Sequence, residues 1–265
     1  MWHFIHYATR GRSHIKNNIP CQDKTYVLQK HNASVIALAD GAGSARLSHF
    51  GAKDSVLFVS KHIAKYFDEY ASNNKTKEQL LAKIQKQLML KAMKYKCSLK
   101  DLACTLLCIA IKEDRFILFH IGDGVIGCLK NNVLEVLSAP DNGEFANTTN
   151  FVTSKNALES IRYISGSVNK ISGFVLMSDG TQASLYSKKY GTLAPVIKDI
   201  IHSEFGIKKL QIGLQNSFEN TIKNATSDDC SIAFAIKGKS GGYNIGSLSR
   251  YFSRIKNAKL LKKMR

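Results

Sequence analysis

The sequence predicts an α+β fold: antiparallel sheets stacked on one another, with helices on the outside. Three observations lead there. Strand-like apolar runs come in consecutive groups, separated by pairs of helix-period segments. The strict β/α alternation of a doubly wound sheet is absent. The chain has 265 residues, 44% apolar and 22% charged, enough for a sizeable core in one large domain or two small ones.

Residues 2–8 read as the first strand. Residues 11–14 follow, and Asn17-Asn18-Ile19-Pro20 makes a turn. Cys21-Gln22-Asp23 leads into a strand over 25–28. Residues 35–39 are small or apolar without interruption, the pattern of a strand buried on both faces. A helix spans 48–67. A second starts at Thr76, where Gln79 three residues on completes a capping box, and Leu80, Ile84, Leu88, Ala92 and Tyr95 recur at helical spacing. Its other face is rich in Lys and reads as solvated. Residues 102–111 form a long apolar strand. Runs at 116–121, 125–129 and 133–137 read as a meander, with Asp123-Gly124 and Asn131-Asn132 as its turns. Residues 138–163 are polar and irregular, a long loop of the kind that is functional or mobile. A strand over 174–177 leads to Asp179. Helices follow at 192–205, ended by Gly206, and at 207–224, with Leu210, Leu214, Phe218 and Ile222 in one stripe. The last strand is 230–236. The expected organisation is a domain over 1–237 and a basic tail over 238–265. From Lys237 onward there are nine Lys/Arg and no acid, and residues 248–264 fit a short amphipathic helix.

The net charge of +18 favours acidic partners: nucleic acid, anionic membrane, or phosphorylated and acidic proteins. The charge is spread over helix faces and the tail, and no helix-turn-helix, zinc-finger or aromatic RNA-binding signature accompanies it. No specific nucleic-acid partner is expected. None of the six Cys forms a C-x-x-C pair, and Cys104, Cys108, Cys128 and Cys230 lie inside apolar runs. Residues 1–13 lack the apolar region of a secretory signal, and no run is long enough to span a bilayer. The expected location is a reducing cytoplasm.

Five Asp sites stand at strand boundaries. Asp40 ends the run 35–39 and is followed by Gly41 and Gly43. Asp123 and Asp179 end two further apolar runs, each followed by Gly. Asp228-Asp229 and Asp23 each precede a run. In an antiparallel sheet the ends of up-strands and the starts of down-strands lie at one edge, so these sites can converge. Clustered carboxylates repel, and a cation keeps them ionised. Oxygen-only ligands suit Mg²⁺ or Mn²⁺. One Asp-Gly alone reads better as a hairpin turn; the set together does not.

With Asp40-Gly41-Ala42-Gly43, Gly122-Asp123, Ser178-Asp179-Gly180 and Asp228-Asp229 in this order, residues 5–237 resemble the metal-dependent serine/threonine phosphatases of the protein phosphatase 2C type. The resemblance is to a compact bacterial branch, through Gly11 to His14, Pro20 to Asp23, and the loop and helix start from Asp40 to Ala52. It implies a four-layer α/β/β/α sandwich, two antiparallel sheets flanked by helix pairs, with two or three Mg²⁺ or Mn²⁺ ions at one end. It implies that Asp40 bridges two metals and the Gly41 carbonyl completes one site. Asp179 and Asp228 would hold the first metal, and Asp123 with Asp179 a looser third. Asp23 would orient metal-bound water. Phosphoserine and phosphothreonine would be hydrolysed by a metal-bridging hydroxide without a protein nucleophile. The catalytic set is then Asp40, Asp179, Asp228 and His14.

Four positions depart from the family pattern. Gln22 stands where the family usually has an acid, and an uncharged oxygen there predicts weaker binding of the second metal. His14 stands where many members place an Arg on the substrate phosphate. Protonated His14, Arg12 or Arg46 could take that task, or His14 could be a structural histidine. If His14 does it, activity falls as pH rises through the His pKa. Ala42 replaces the loop His of eukaryotic relatives. Asp229 falls where the family usually has Asn. A phosphoprotein phosphatase, with a cognate Ser/Thr kinase by analogy, is the leading reading. The alternative is a catalytically weak phosphatase-fold regulatory module acting through its basic surface; the retained carboxylates argue against it.

Overall fold

Apolar runs without a polar side have to be covered on both faces, and the computed structural model covers them so. It describes residues 1–72, 76–141 and 149–238. In chain order the elements are β1 (Trp2–Thr9), α1 (Arg12–Lys16), β2 (Lys24–Lys30), β3 (Ala33–Ala39), α2 (Ser48–Lys65), α3 (Phe67–Ser72) and α4 (Thr76–Tyr95). Then come β4 (Leu106–Lys112), β5 (Arg115–Ile121), β6 (Val125–Lys130), β7 (Val133–Ser138), β8 (Arg162–Ser167), β9 (Ile171–Met177) and α5 (Asp179–Leu185). A small ribbon of β10 (Tyr186–Ser187) and β11 (Thr192–Leu193), then α6 (Val196–Ile201), α7 (Ile207–Ser217) and β12 (Cys230–Lys237), complete the fold.

Two antiparallel sheets of five strands carry the fold, ordered β1-β12-β9-β6-β7 and β2-β3-β4-β5-β8. Their facing sides interdigitate: Ile36, Leu38, Leu107, Ile109 and Leu118 from one sheet meet Ile126, Phe174, Leu176, Ala233 and Ala235 from the other. Side chains alternate along a strand. Val35, Ala37 and Ala39 therefore face outward, against Ala52, Val56, Val59 and Ile63 of α2 and Leu80, Ile84 and Leu88 of α4. Val175, Met177, Ile232 and Phe234 likewise pack under Ile197 and Ile200 of α6 and Leu210 and Leu214 of α7. The α+β prediction of four α/β/β/α layers holds.

Several local expectations change. Asp123-Gly124 is not a hairpin turn. β5 and β6 lie in different sheets, so this pair carries the chain across the sandwich. Asn131 and Asn132 do turn a hairpin, both at positive φ. The strand expected from residue 102 begins at Leu106, because Leu99–Leu102 forms a 3₁₀ turn closed by a Ser98/Asp101 capping box. The helix expected over 48–67 ends at Lys65, and α3 follows it. The helix expected from residue 192 starts at Val196, after Pro195, while Thr192 pairs with Ser187. It ends at Ile201, and Gly206 caps the start of α7 instead. The Leu210, Leu214, Phe218, Ile222 stripe is buried, but beyond Ser217 the helix continues in π and 3₁₀ form. Helices α1 and α5 and strand β8 were not anticipated. Residues 239–265, nearly all of the basic tail and its amphipathic helix, lie outside the described residues. Among the described residues no helix is long and apolar enough to cross a membrane.

Candidate active site

At one end of the sandwich, strand ends and loops enclose a cleft of about 180 Å³. Asp40 follows the last residue of β3. Its N–H donates to Thr105 Oγ1 at 2.9 Å, and its carbonyl accepts the Thr105 N–H at 2.8 Å. Gly41 then bridges Cys104, so the strand pairing carries on past the sheet and fixes where Asp40 sits. Asp123 lies in the crossover between the sheets. Gly122 before it has φ of +114°, open to glycine alone, and a Cβ there would lie 2.5 Å from Thr105 Cγ2. Asp123 Oδ2 accepts the Thr149 hydroxyl at 2.7 Å. Asp179 opens α5 directly after β9. Asp228 precedes β12, and its Oδ1 accepts the Asp229 N–H at 2.8 Å.

These four carboxylates line one cleft together with His14, Gln22, Gly41 and Ala42. Of the Asp sites expected to converge, these four line the cleft, while Asp23 and Asp229 are not among its lining residues. Asp23 stands behind them, 1% exposed, with both carboxylate oxygens lacking a hydrogen-bond partner. Arg12 and Arg46 are not among the lining residues. The Arg12 Nε–H instead donates to the Thr226 carbonyl. Asp229 also turns away from the cleft: its oxygens accept the N–H groups of Gly11 and Gln22, each at 2.6 Å. The Gln22 amide nitrogen donates to Ser48 Oγ at 2.7 Å, which leaves its side-chain oxygen as the free acceptor.

The electrostatics follow from proximity. Burial raises the Asp40 carboxyl well above the usual range, and Asp23, Asp179 and Asp228 push it further up. Burial, then Asp123 and Asp228, raise Asp179 to about 6. Carboxylates that hold one another partly protonated are a donor set short of positive charge. All-oxygen donors with two orphaned buried oxygens at Asp23 fit hard divalent cations such as Mg²⁺ or Mn²⁺. Among the described residues no three such side chains are already gathered within reach of one point.

Sequence reasoning missed three contributors. Thr105 fixes the Asp40 backbone, Thr149 caps Asp123, and Phe151 walls the cleft against Ala42, Ala45 and Ala103. Thr149 and Phe151 do fall in the polar 138–163 segment, the one part of the chain that its composition marked as a functional loop.

The sequence profile described as protein phosphatase 2C matches residues 10–211. The chain belongs to the protein phosphatase 2C family. The match stops short of Asp228, which the fold itself brings into the site. Serine/threonine-protein phosphatase 3 of Escherichia coli strain K12 is 26% identical over 192 residues, 68% of this chain and 74% of that protein. Among solved structures, the S. agalactiae serine/threonine phosphatase superposes with a TM-score of 0.65 at 15% identity, covering 90% of this chain and 100% of that one. The serine/threonine phosphatase Stp1 from Staphylococcus aureus gives 0.64 at 14% identity, covering 90% and 96%. The fold of the family is thus shared nearly end to end, and the protein is a phosphatase of this family.

Proposed function

We propose that this protein phosphatase 2C member is a metal-dependent phosphoprotein phosphatase acting on phosphoserine and phosphothreonine. One observation carries the reading. Asp40, Asp123, Asp179 and Asp228 come from four strand boundaries and line a single cleft. In this reading Asp40, Asp179 and Asp228 with the Gly41 carbonyl hold two Mg²⁺ or Mn²⁺ ions, and Asp123 helps to hold a third. Bound divalent ions supply charge neutralisation on the phosphoryl oxygens and a water that ionises near neutral pH. Asp23 stays behind the ligands as an acceptor that orients water. The Gln22 oxygen serves where an acid is usual and binds its metal more weakly. His14 faces the phosphate. Phe151 and Ala42 keep one wall of the cleft apolar and limit bulk water there. The substrates are phosphorylated proteins, with a cognate Ser/Thr kinase as their source. Six free cysteines agree with a reducing cytoplasm. The catalytic domain is residues 1–237, with residues 238–265 as an appended basic tail.

The test is hydrolysis of a phosphothreonine peptide with Mn²⁺, with Mg²⁺ and with chelator, for the native chain and for Asp40→Asn and Asp228→Asn. Metal-dependent turnover, abolished by chelator and reduced at least about a hundredfold in each variant, is expected. Metal binding without turnover by the native chain overturns the reading.

A further inference from the structure

Helix α4 packs on its sheet through Leu80, Ile84, Leu88 and Ala92. Its opposite face is not plainly polar. Met89, Leu90 and Met93 stand there 55%, 53% and 73% exposed. Lys86 lies one turn before Leu90, and Lys94 one turn after it, so the five residues form one stripe along the helix. Among the other exposed large apolar residues that the structure describes, no two lie within four positions of each other. Single exposed apolar residues are ordinary on a protein surface; a group on one helix face is not.

The charge around this stripe has one sign. From Gln79 to Lys100 the chain has six Lys and no acid. Lys91 pairs with Asp54 of α2 at 3.1 Å. Asp54 is the one acid of α2 and is itself 7% exposed. Lys83, Lys86, Lys94 and Lys96 are exposed and have no carboxylate partner among the described residues. The neighbouring α2 adds exposed Lys53, Lys61 and Lys65. An apolar crest thus rises from a field of ammonium groups.

We propose that the outer face of α4 is a docking surface for an anionic lipid bilayer. A helix lying in the plane of a bilayer surface has this pattern: apolar side chains enter the acyl boundary, and Lys on either side meets lipid phosphates and carboxylates. The long Lys stems reach the headgroups while the Met and Leu side chains go deeper. Charge decides against the nearer occupants. The tail from Lys237 onward is basic, and a second copy would bring the same lysines, so both are repelled. Shape decides against an acidic protein. The apolar residues stand on the convex crest of a helix, so a folded partner would need a matching groove, whereas a fluid bilayer needs none. Gln85 on the same helix donates to the Val152 carbonyl at 2.9 Å, beside Phe151 of the cleft wall, so the docked helix carries the cleft with it. The inference goes beyond the phosphatase reading and does not depend on it.

The test is flotation of the full chain with vesicles of phosphatidylcholine alone and of phosphatidylcholine with phosphatidylserine. The variants are Met89→Ser/Met93→Ser, Lys86→Gln/Lys94→Gln and Met93→Trp; all change exposed side chains, and an unchanged Tm verifies folding. The native chain is expected to float with phosphatidylserine vesicles, not with phosphatidylcholine alone, and to be released by salt. Each double variant should weaken vesicle binding about tenfold, one by loss of insertion and the other by loss of charge. Met93→Trp should add fluorescence that shifts to the blue with the anionic vesicles. The proposal is overturned if the native chain does not float. Equal flotation of the native chain and both double variants also overturns it, since binding then belongs elsewhere on this basic chain. Loss with the Lys pair but not with the Met pair overturns it too, because attraction without insertion is not docking of this face. Soluble polyglutamate is the last probe: binding that needs the same Met and Lys residues, with no vesicle binding, assigns the face to an acidic protein and overturns the lipid.

Discussion

Gln22 lines the cleft with a neutral amide where carboxylates crowd elsewhere, and the change that tests it is small. Gln22→Glu should lower the Mn²⁺ concentration for half-maximal activity several-fold, read by metal titration of turnover, since an added charge strengthens a hard-cation site. Asp23, raised to about 7, and Asp179, raised to about 6, owe their shifts first to burial. In the folded protein they hold protons more tightly than in the unfolded chain, where carboxylates titrate near about 4. The folded state thus binds more protons between about pH 4 and pH 7, and the metal-free protein loses stability as pH rises through that window. Added Mn²⁺ should therefore raise Tm more at about pH 7.5 than at about pH 5; equal gains in paired melts would refute this. The Asp residues that line the cleft were legible because each ends or precedes an apolar run. The partners of Asp229 were not, because contacts across more than two hundred positions leave no local pattern.

Elements were readable where one period dominates. The β3 run was found because it is apolar without interruption, and the α4 and α7 stripes because a buried face repeats along them. The Asp123-Gly124 turn was misread because an Asp-Gly between two strands looks the same whether the strands pair or part. The choice depends on which sheet offers each strand a partner. Close contact between loops is another property that only the assembled elements show. A Cβ on Gly11 would lie 2.2 Å from the Asp228 carbonyl carbon. Gly11→Ala must then push α1 and the Asp228 loop apart. A cost of about 2 kcal/mol, or a Tm lower by roughly 4–8 °C, is expected in a thermal melt, together with weaker metal binding in calorimetry.

At the scale of the molecule, an acidic cleft sits in a chain of net charge +18. Long-range attraction should draw acidic phosphopeptides toward the surface before the cleft selects them. Raising salt from about 50 to 300 mM should lower kcat/KM for an acidic phosphopeptide several-fold and change it little for a small phosphomonoester. Parallel responses of the two substrates would remove the steering effect.

The position of β12 also sets a timetable. It lies between β1 and β9, so β1 has no sheet partner until β12 is made. Asp228 arrives with that strand, 188 residues after Asp40. At about 5–20 residues per second, the nascent chain spends on the order of ten seconds or more with its first carboxylate made and its last one absent. During synthesis the cleft therefore lacks one of its four carboxylates until β12 has been made.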